Sequence, residues 1–188
     1  MRALILLLAF QAGGGATDAV RARDAEIRAA LPPPGAEVTP EARRRIEEIV
    51  ARALDLRGMA QAALGPRWAQ MTSVQRRRLV AAFERRFREV GASELEAYRD
   101  TAVEYRAEVE RGGRVEVPTR LVVKGEPTEV TYALRRQGAG WRIVDLSVDG
   151  VSTVDNYRAS FARVIARDGV EGLIRRLEKG GAAAEKPR

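Results

Sequence analysis

From Val103 to Val148 the apolar residues recur at every second position, whereas on either side of that block they recur every three or four. The first period belongs to strands with one buried face, the second to amphipathic helices. A chain that changes period twice in this way folds as helices, then a sheet, then helices. Within the block, Arg111-Gly112-Gly113-Arg114, Lys124-Gly125-Glu126-Pro127 and Gln137-Gly138-Ala139-Gly140 read as tight turns. Four strands joined by such turns make an antiparallel meander. The expected apolar faces are Val103, Tyr105, Ala107 and Val109; Val115, Val117, Leu121 and Val123; and Val130, Tyr132 and Leu134. In the fourth strand, alternation sets Val144, Leu146 and Val148 on one side and Trp141, Ile143, Asp145 and Ser147 on the other. The fold class that follows is α+β, with helices packed on one face of a curved four-stranded antiparallel sheet.

The helical segments carry their own boundaries. Residues 18–31 predict a short surface helix that stops at the prolines starting with Pro32. Thr39 is placed as an N-cap with Pro40 in the first turn, ahead of a stripe of Ile46, Ile49, Val50, Ala53 and Leu54. Residues 56–65 predict a third helix, closed by Gly65-Pro66. Thr72 and Gln75 have the spacing of a capping box, opening a helix to about Val90 with Leu79, Val80, Phe83 and Phe87 inward. The Ser93–Glu96 stretch repeats that signature and predicts a brief helix carrying Leu95 and Tyr98. After the sheet, helices are expected from Ser152 and from Asp168, the latter with Glu171 completing a box.

What the chain lacks narrows its chemistry. Its 188 residues contain no Cys and no His. Disulfides, thiol nucleophiles, His-based triads and zinc sites built on Cys or His are therefore excluded. No phosphate-binding glycine loop or calcium-loop signature is present either, so neither a cofactor nor a metal is expected. The net charge is +7, from 33 Lys and Arg against 26 Asp and Glu, with Lys only at 124, 179 and 186. The arginine runs at 43–45, 76–78 and 85–86 lie on the polar sides of helices with Glu nearby. They read as solvated faces rather than a nucleic-acid stripe.

The N-terminus reads as an address. Arg2 precedes an uninterrupted apolar run from Ala3 to Phe10, and Gly14 and Ala16 supply small residues in the spacing a signal peptidase prefers. The run is too short to span a bilayer. The expectation is export with cleavage after Ala16, one domain over 17–180, and a disordered tail at 181–188.

Three blocks, in order, resemble the MlaC family, the periplasmic phospholipid carriers also known as toluene-tolerance or ABC-transporter auxiliary proteins. They are ALGPRWAQMTSVQRRRLVAAF, the LEAY and VEYRAEV pair, and the long segment from Val130 to Leu177. The last holds the most recognisable part, Trp141-x-Ile143-x-Asp145 followed by Asp149-Gly150-Val151-Ser152. The resemblance implies a cystatin-like fold, of the nuclear transport factor 2-like kind, with an apolar cavity between sheet and helices. It also implies exchange of phospholipid between an outer-membrane lipoprotein–porin complex and an inner-membrane ABC transporter bearing an MCE-domain ring. The protein itself is expected to act as a monomer.

A carrier of this kind replaces water around roughly 30 methylenes, each worth about 0.8 kcal/mol, on the order of 20 kcal/mol in all. Such work needs an apolar space and no catalytic group. The residues expected to line it are Phe83, Phe87, Tyr98, Tyr132, Leu134, Val144, Leu146, Val148, Val151, Val154 and Phe161. Two other readings stand beside this one. An enzyme of the same superfold would aim an acid into the cone, for which Asp145 is the one tempting strand residue, although its parity and its proximity to Ser152 favour capping. A protein-binding module would have a solid interior.

Overall fold

In a computed structural model, which describes residues 14–33, 36–91, 101–123 and 125–180, the order is helix, sheet, helix. Five helices come first: α1 (Ala16–Ala30), α2 (Pro40–Ala53), α3 (Leu56–Leu64), α4 (Arg67–Gln70) and α5 (Ser73–Gly91). Six strands follow: β1 (Val103–Tyr105), β2 (Val109–Arg111), β3 (Arg114–Val123), β4 (Glu126–Gln137), β5 (Gly140–Val148) and β6 (Val151–Ser152). The last helix is α6 (Thr153–Glu178). Most of the leader, the Ser93–Glu96 stretch with Tyr98, and residues 181–188 lie outside the described residues. Among the described residues no helix is long and apolar enough to cross a membrane.

The expected caps form. Thr39 accepts from the Ala42 amide at 3.2 Å, and Thr72 and Gln75 exchange two bonds at 3.0 and 3.2 Å. Glu171 does something else than close a box. Its carboxylate accepts from Gln75 and Arg78 of α5, and Arg78 also bonds Glu178, so four side chains lace α5 to α6. The two expected C-terminal helices both form and run on as α6, separated by a kink at Gly169, where φ is 68° and ψ 178°. That left-handed backbone is cheap only for glycine. The four-residue α4 has no apolar period of its own; it seats Trp68, which is 9 % exposed, in the helical core.

The sheet has six strands instead of four. The first expected strand breaks in two, because residues 106–108 leave the ladder and β1 and β2 each pair with part of β3. Ala107 therefore sits outside any strand. Val151 and Ser152, placed by sequence in the turn before a helix, pair with Val148 and Ser147 as β6. From β1 inward the order is β1-β3-β4-β5-β6, antiparallel throughout.

A larger correction concerns β5. Ala133 pairs with Asp145, but the next pair is Leu134 with Ile143, so Val144 is an extra residue without an opposite number. Such a bulge inverts side-chain parity beyond it. Ile143, expected on the outer side, thus shares a face with Leu146, Val148, Tyr132 and Leu134. Val115, Val117 and Thr119 of β3 complete that face. Thr119 is 2 % exposed and tolerates burial because its hydroxyl donates to the Val130 carbonyl at 2.8 Å.

Two apolar clusters result. One lies between α1–α2 and the sheet face, around Val20, Ala53, Val117, Leu134 and Ile143. The other is formed by α3, α5 and α6, around Met59, Leu79, Phe83, Phe161 and Leu177. Leu54 touches both, and beside it the Asp55 amide donates to the Ile143 carbonyl at 2.8 Å, fixing α2 and α3 against β5.

Candidate functional site

An apolar cavity of about 150 Å³ lies between the first two helices and the sheet. The sheet supplies Tyr132, Ile143 and Leu146 to its wall; α2 supplies Val50 and Ala53, and Leu54 follows as its C-cap. Val20 and Ile27 of α1 form the roof with Arg23 and Asp24 at its margin, and Phe87 of α5 closes the end. Tyr132 and Leu146 are directly opposed across β4 and β5, so the floor is one cross-strand pair flanked by Ile143.

The roof is lightly packed. Only Ala16 and Val20 of α1 are buried. Polar bonds hold the rest of its docking. The Trp141 indole donates to the Gly14 carbonyl at 3.0 Å, and Arg28 donates to the Thr101 carbonyl at 2.7 Å. The Thr17 amide and hydroxyl both donate to Glu108, and Arg21 lies 4.1 Å above the Tyr105 ring. Ala16, the expected cleavage point, is itself the first residue of α1.

Of the residues expected from sequence, the structure brings Phe87, Tyr132 and Leu146 together at this cavity. Leu134, 2 % exposed, lies on the same sheet face next to Ile143. Phe83, Val154 and Phe161 are packed in the helical cluster instead, at 1 %, 6 % and 1 % exposure. Val144 is the bulged residue, Val148 pairs with Val130 and Val151, and Val151 is an exposed residue of β6. Sequence reasoning did not assign Val20, Ile27, Val50, Leu54 or Ile143 to the wall. The Val20–Ile27 spacing of seven and the Val50–Leu54 spacing of four were visible signals; the bulge that turns Ile143 inward was not.

Asp145 is engaged by three donors of its own corner. Its Oδ1 accepts from the Leu146 and Val154 amides at 2.8 and 3.1 Å, and its Oδ2 from the Ser152 hydroxyl at 2.5 Å. Ser152 in turn accepts from the Asp155 amide, capping α6. Paired with Ala133, Asp145 belongs to the sheet face opposite Leu146 and the cavity. It braces the corner where β5, β6 and α6 meet. Among the described residues there is no group of three or more acidic side chains suited to a metal ion.

The titration of Tyr132 reports on the cavity floor. Burial pushes its phenol up to about 12, with the Asp24 carboxylate adding to the effect and Arg28 opposing it. A folded value above the ordinary 10.0 means that the fold disfavours the phenolate. The associated stability is complete below about pH 10 and is lost as pH rises toward 12. Phenolate absorbance is expected to show Tyr132 ionising late, and Tyr132→Phe to unfold less readily in that alkaline window. Equal alkaline sensitivity in the two proteins would remove the floor assignment for this ring.

Comparison with known proteins adds two findings. The family model described as MlaC protein matches residues 33–179. A solved structure of a phospholipid-binding protein from Ralstonia solanacearum, in complex with a phospholipid, aligns with a TM-score of 0.77 at 22 % identity. The alignment covers 89 % of this chain and 97 % of that one, a likeness of fold at that identity. No protein of curated function matches the chain in sequence.

Proposed function

The chain belongs to the MlaC family, and from that premise we propose that it is a phospholipid carrier that shelters acyl chains between its sheet and its first two helices. The observation that carries this reading is the wall of the cavity: apolar side chains from five elements, α1, α2, α5, β4 and β5, converge there, with charge only at the margin. The fold it shares with a phospholipid-binding protein supports the same cargo. Asp145, the acid an enzyme of this architecture would use, is engaged in a structural brace.

Loading requires the cavity to widen. A void near 150 Å³ suits a group about the size of benzene, whereas ligand sites usually enclose about 300–1,000 Å³. The segment best suited to move is α1, whose one buried residue beyond the expected cleavage point is Val20. Elements with few buried apolar contacts open at low free-energy cost. The carrier works without a cofactor or catalytic group and as a monomer. Its leader, ending near Ala16, sends it to the periplasm. There it exchanges lipid between an outer-membrane lipoprotein–porin complex and an inner-membrane MCE-domain ABC transporter, maintaining outer-membrane asymmetry and with it tolerance to toluene.

The test is direct. Mature protein purified from a Gram-negative host is expected to yield phospholipid on solvent extraction, identified by mass spectrometry. Repeated extraction of folded protein that yields none refutes the carrier assignment.

A further inference from the structure

Beside the apolar cavity, and sharing Val20, Arg23, Ala53 and Ile143 with it, opens a wider cleft of about 530 Å³. Its lining changes character. Arg52, Arg142 and Gln137 join the shared residues there. We infer that this cleft holds the phosphodiester of the lipid whose chains occupy the cavity, with Arg23 and Arg52 as the guanidinium pair that binds it. The inference rests on the carrier reading.

Arg23 on α1 and Arg52 on α2 already converge on one oxyanion. Arg23 donates to both carboxylate oxygens of Glu26, at 2.5 and 2.7 Å, and Arg52 stands 3.6 Å from the second. Arg23 reaches both oxygens through its one Nη1, so the Glu26 carboxylate marks where a small anion lies within range of two guanidinium groups, the charge that suits phosphate. The side chains remain reachable, at 39 % exposure for Arg23 and 60 % for Arg52.

Charge around the cleft is left positive. Arg23, Arg52 and Arg142 line the cleft against Asp18, its one lining acid, and the Glu26 carboxylate that pairs with the first two, which leaves one positive charge in excess. Arg142 is paired directly across the strands with Arg135. Like charges in that position repel, and among the described residues no carboxylate is bonded to either. An anion at this end of the sheet lowers that repulsion. The order from apolar cavity to basic cleft, with Arg23 at the seam, matches the order from acyl chain to phosphate in a phospholipid.

The experiment loads the full protein in parallel with phosphatidylglycerol and with diacylglycerol bearing the same chains, and measures the lipid retained. Wild-type protein is expected to hold phosphatidylglycerol about tenfold better. Arg52→Glu is expected to lose about that factor for phosphatidylglycerol and nothing for diacylglycerol, with Arg52→Lys between the two. Thermal unfolding checks that both variants are folded. Equal retention of the two lipids by wild type overturns the headgroup site and leaves the carrier intact. Equal loss of both lipids in Arg52→Glu also overturns it, since the arginine then acts on packing alone. Retention of neither lipid by wild type refutes the carrier reading and this inference with it. Glycerol phosphate without chains is expected to displace no lipid; binding as tight as that of the lipid assigns the cleft to free anions and overturns the proposal.

Discussion

Phe83→Ala is expected to destabilise the domain by about 3–5 kcal/mol, a fall of roughly 10 °C in melting temperature for a chain of this size. The ring is 1 % exposed. Its centroid lies 4.9 Å from Tyr157 in an edge contact, 6.2 Å from Phe161 and 6.0 Å from Phe87. Three aromatic neighbours held on α5 and α6 cannot all collapse into the space that an alanine leaves. Arg78 and its two glutamates also pin those helices at their separation. The cavity term therefore adds in full to the lost burial. Sequence spacing places Phe83 beside Phe87 as a wall of the lipid space, and the two readings diverge in this experiment. A residue facing a hollow would cost little on truncation and would enlarge the hollow. Urea or thermal unfolding decides: a loss near 1 kcal/mol, with more lipid carried, would move the cavity from the sheet to the helical cluster.

The same contrast explains what the sequence could and could not disclose. Element type was legible wherever the period was long and clean, as in α2, α5, β3 and β4. Caps were legible because they are local: Thr39, Thr72 and Gln75 bond within three residues of themselves. What periodicity cannot distinguish is one apolar neighbourhood from another. Phe83, Val154, Phe161, Tyr132 and Leu146 all read as inward, yet three of them pack a solid helical core and two line the cavity. The choice depends on where α1 and α2 dock, a long-range matter. The inversion at Ile143 depends on a single unpaired residue, Val144, in a segment whose alternation looks unbroken. Glu171 shows the limit of motif spacing: an available Arg78 across the helix pair outcompetes the local box.

Leu146→Glu is expected to reduce lipid load at least tenfold while leaving the domain folded. Leu146 is half-buried and faces Tyr132 across the floor of the cavity. Room at the margin lets a longer side chain bend toward water, so the folded state loses little more than the leucine contacts. The cargo fares worse. A carboxylate on the floor keeps its hydration and draws water against the chain. Two or three methylenes left wet remove about 2 kcal/mol of binding, which is roughly a thirtyfold change in affinity. Val151→Glu is the matched control. It puts the same charge on a residue 46 % exposed on β6, outside the cavity wall, and is expected to leave the load unchanged. Extracted lipid per folded protein, compared across the two variants, separates a floor at Leu146 from a general effect of added charge. Equal loads in Leu146→Glu and wild type would mean that the chains lie elsewhere in the molecule. Loss in Val151→Glu alone would place the opening at the β5–β6 corner, on the far side of the bulge from Ile143.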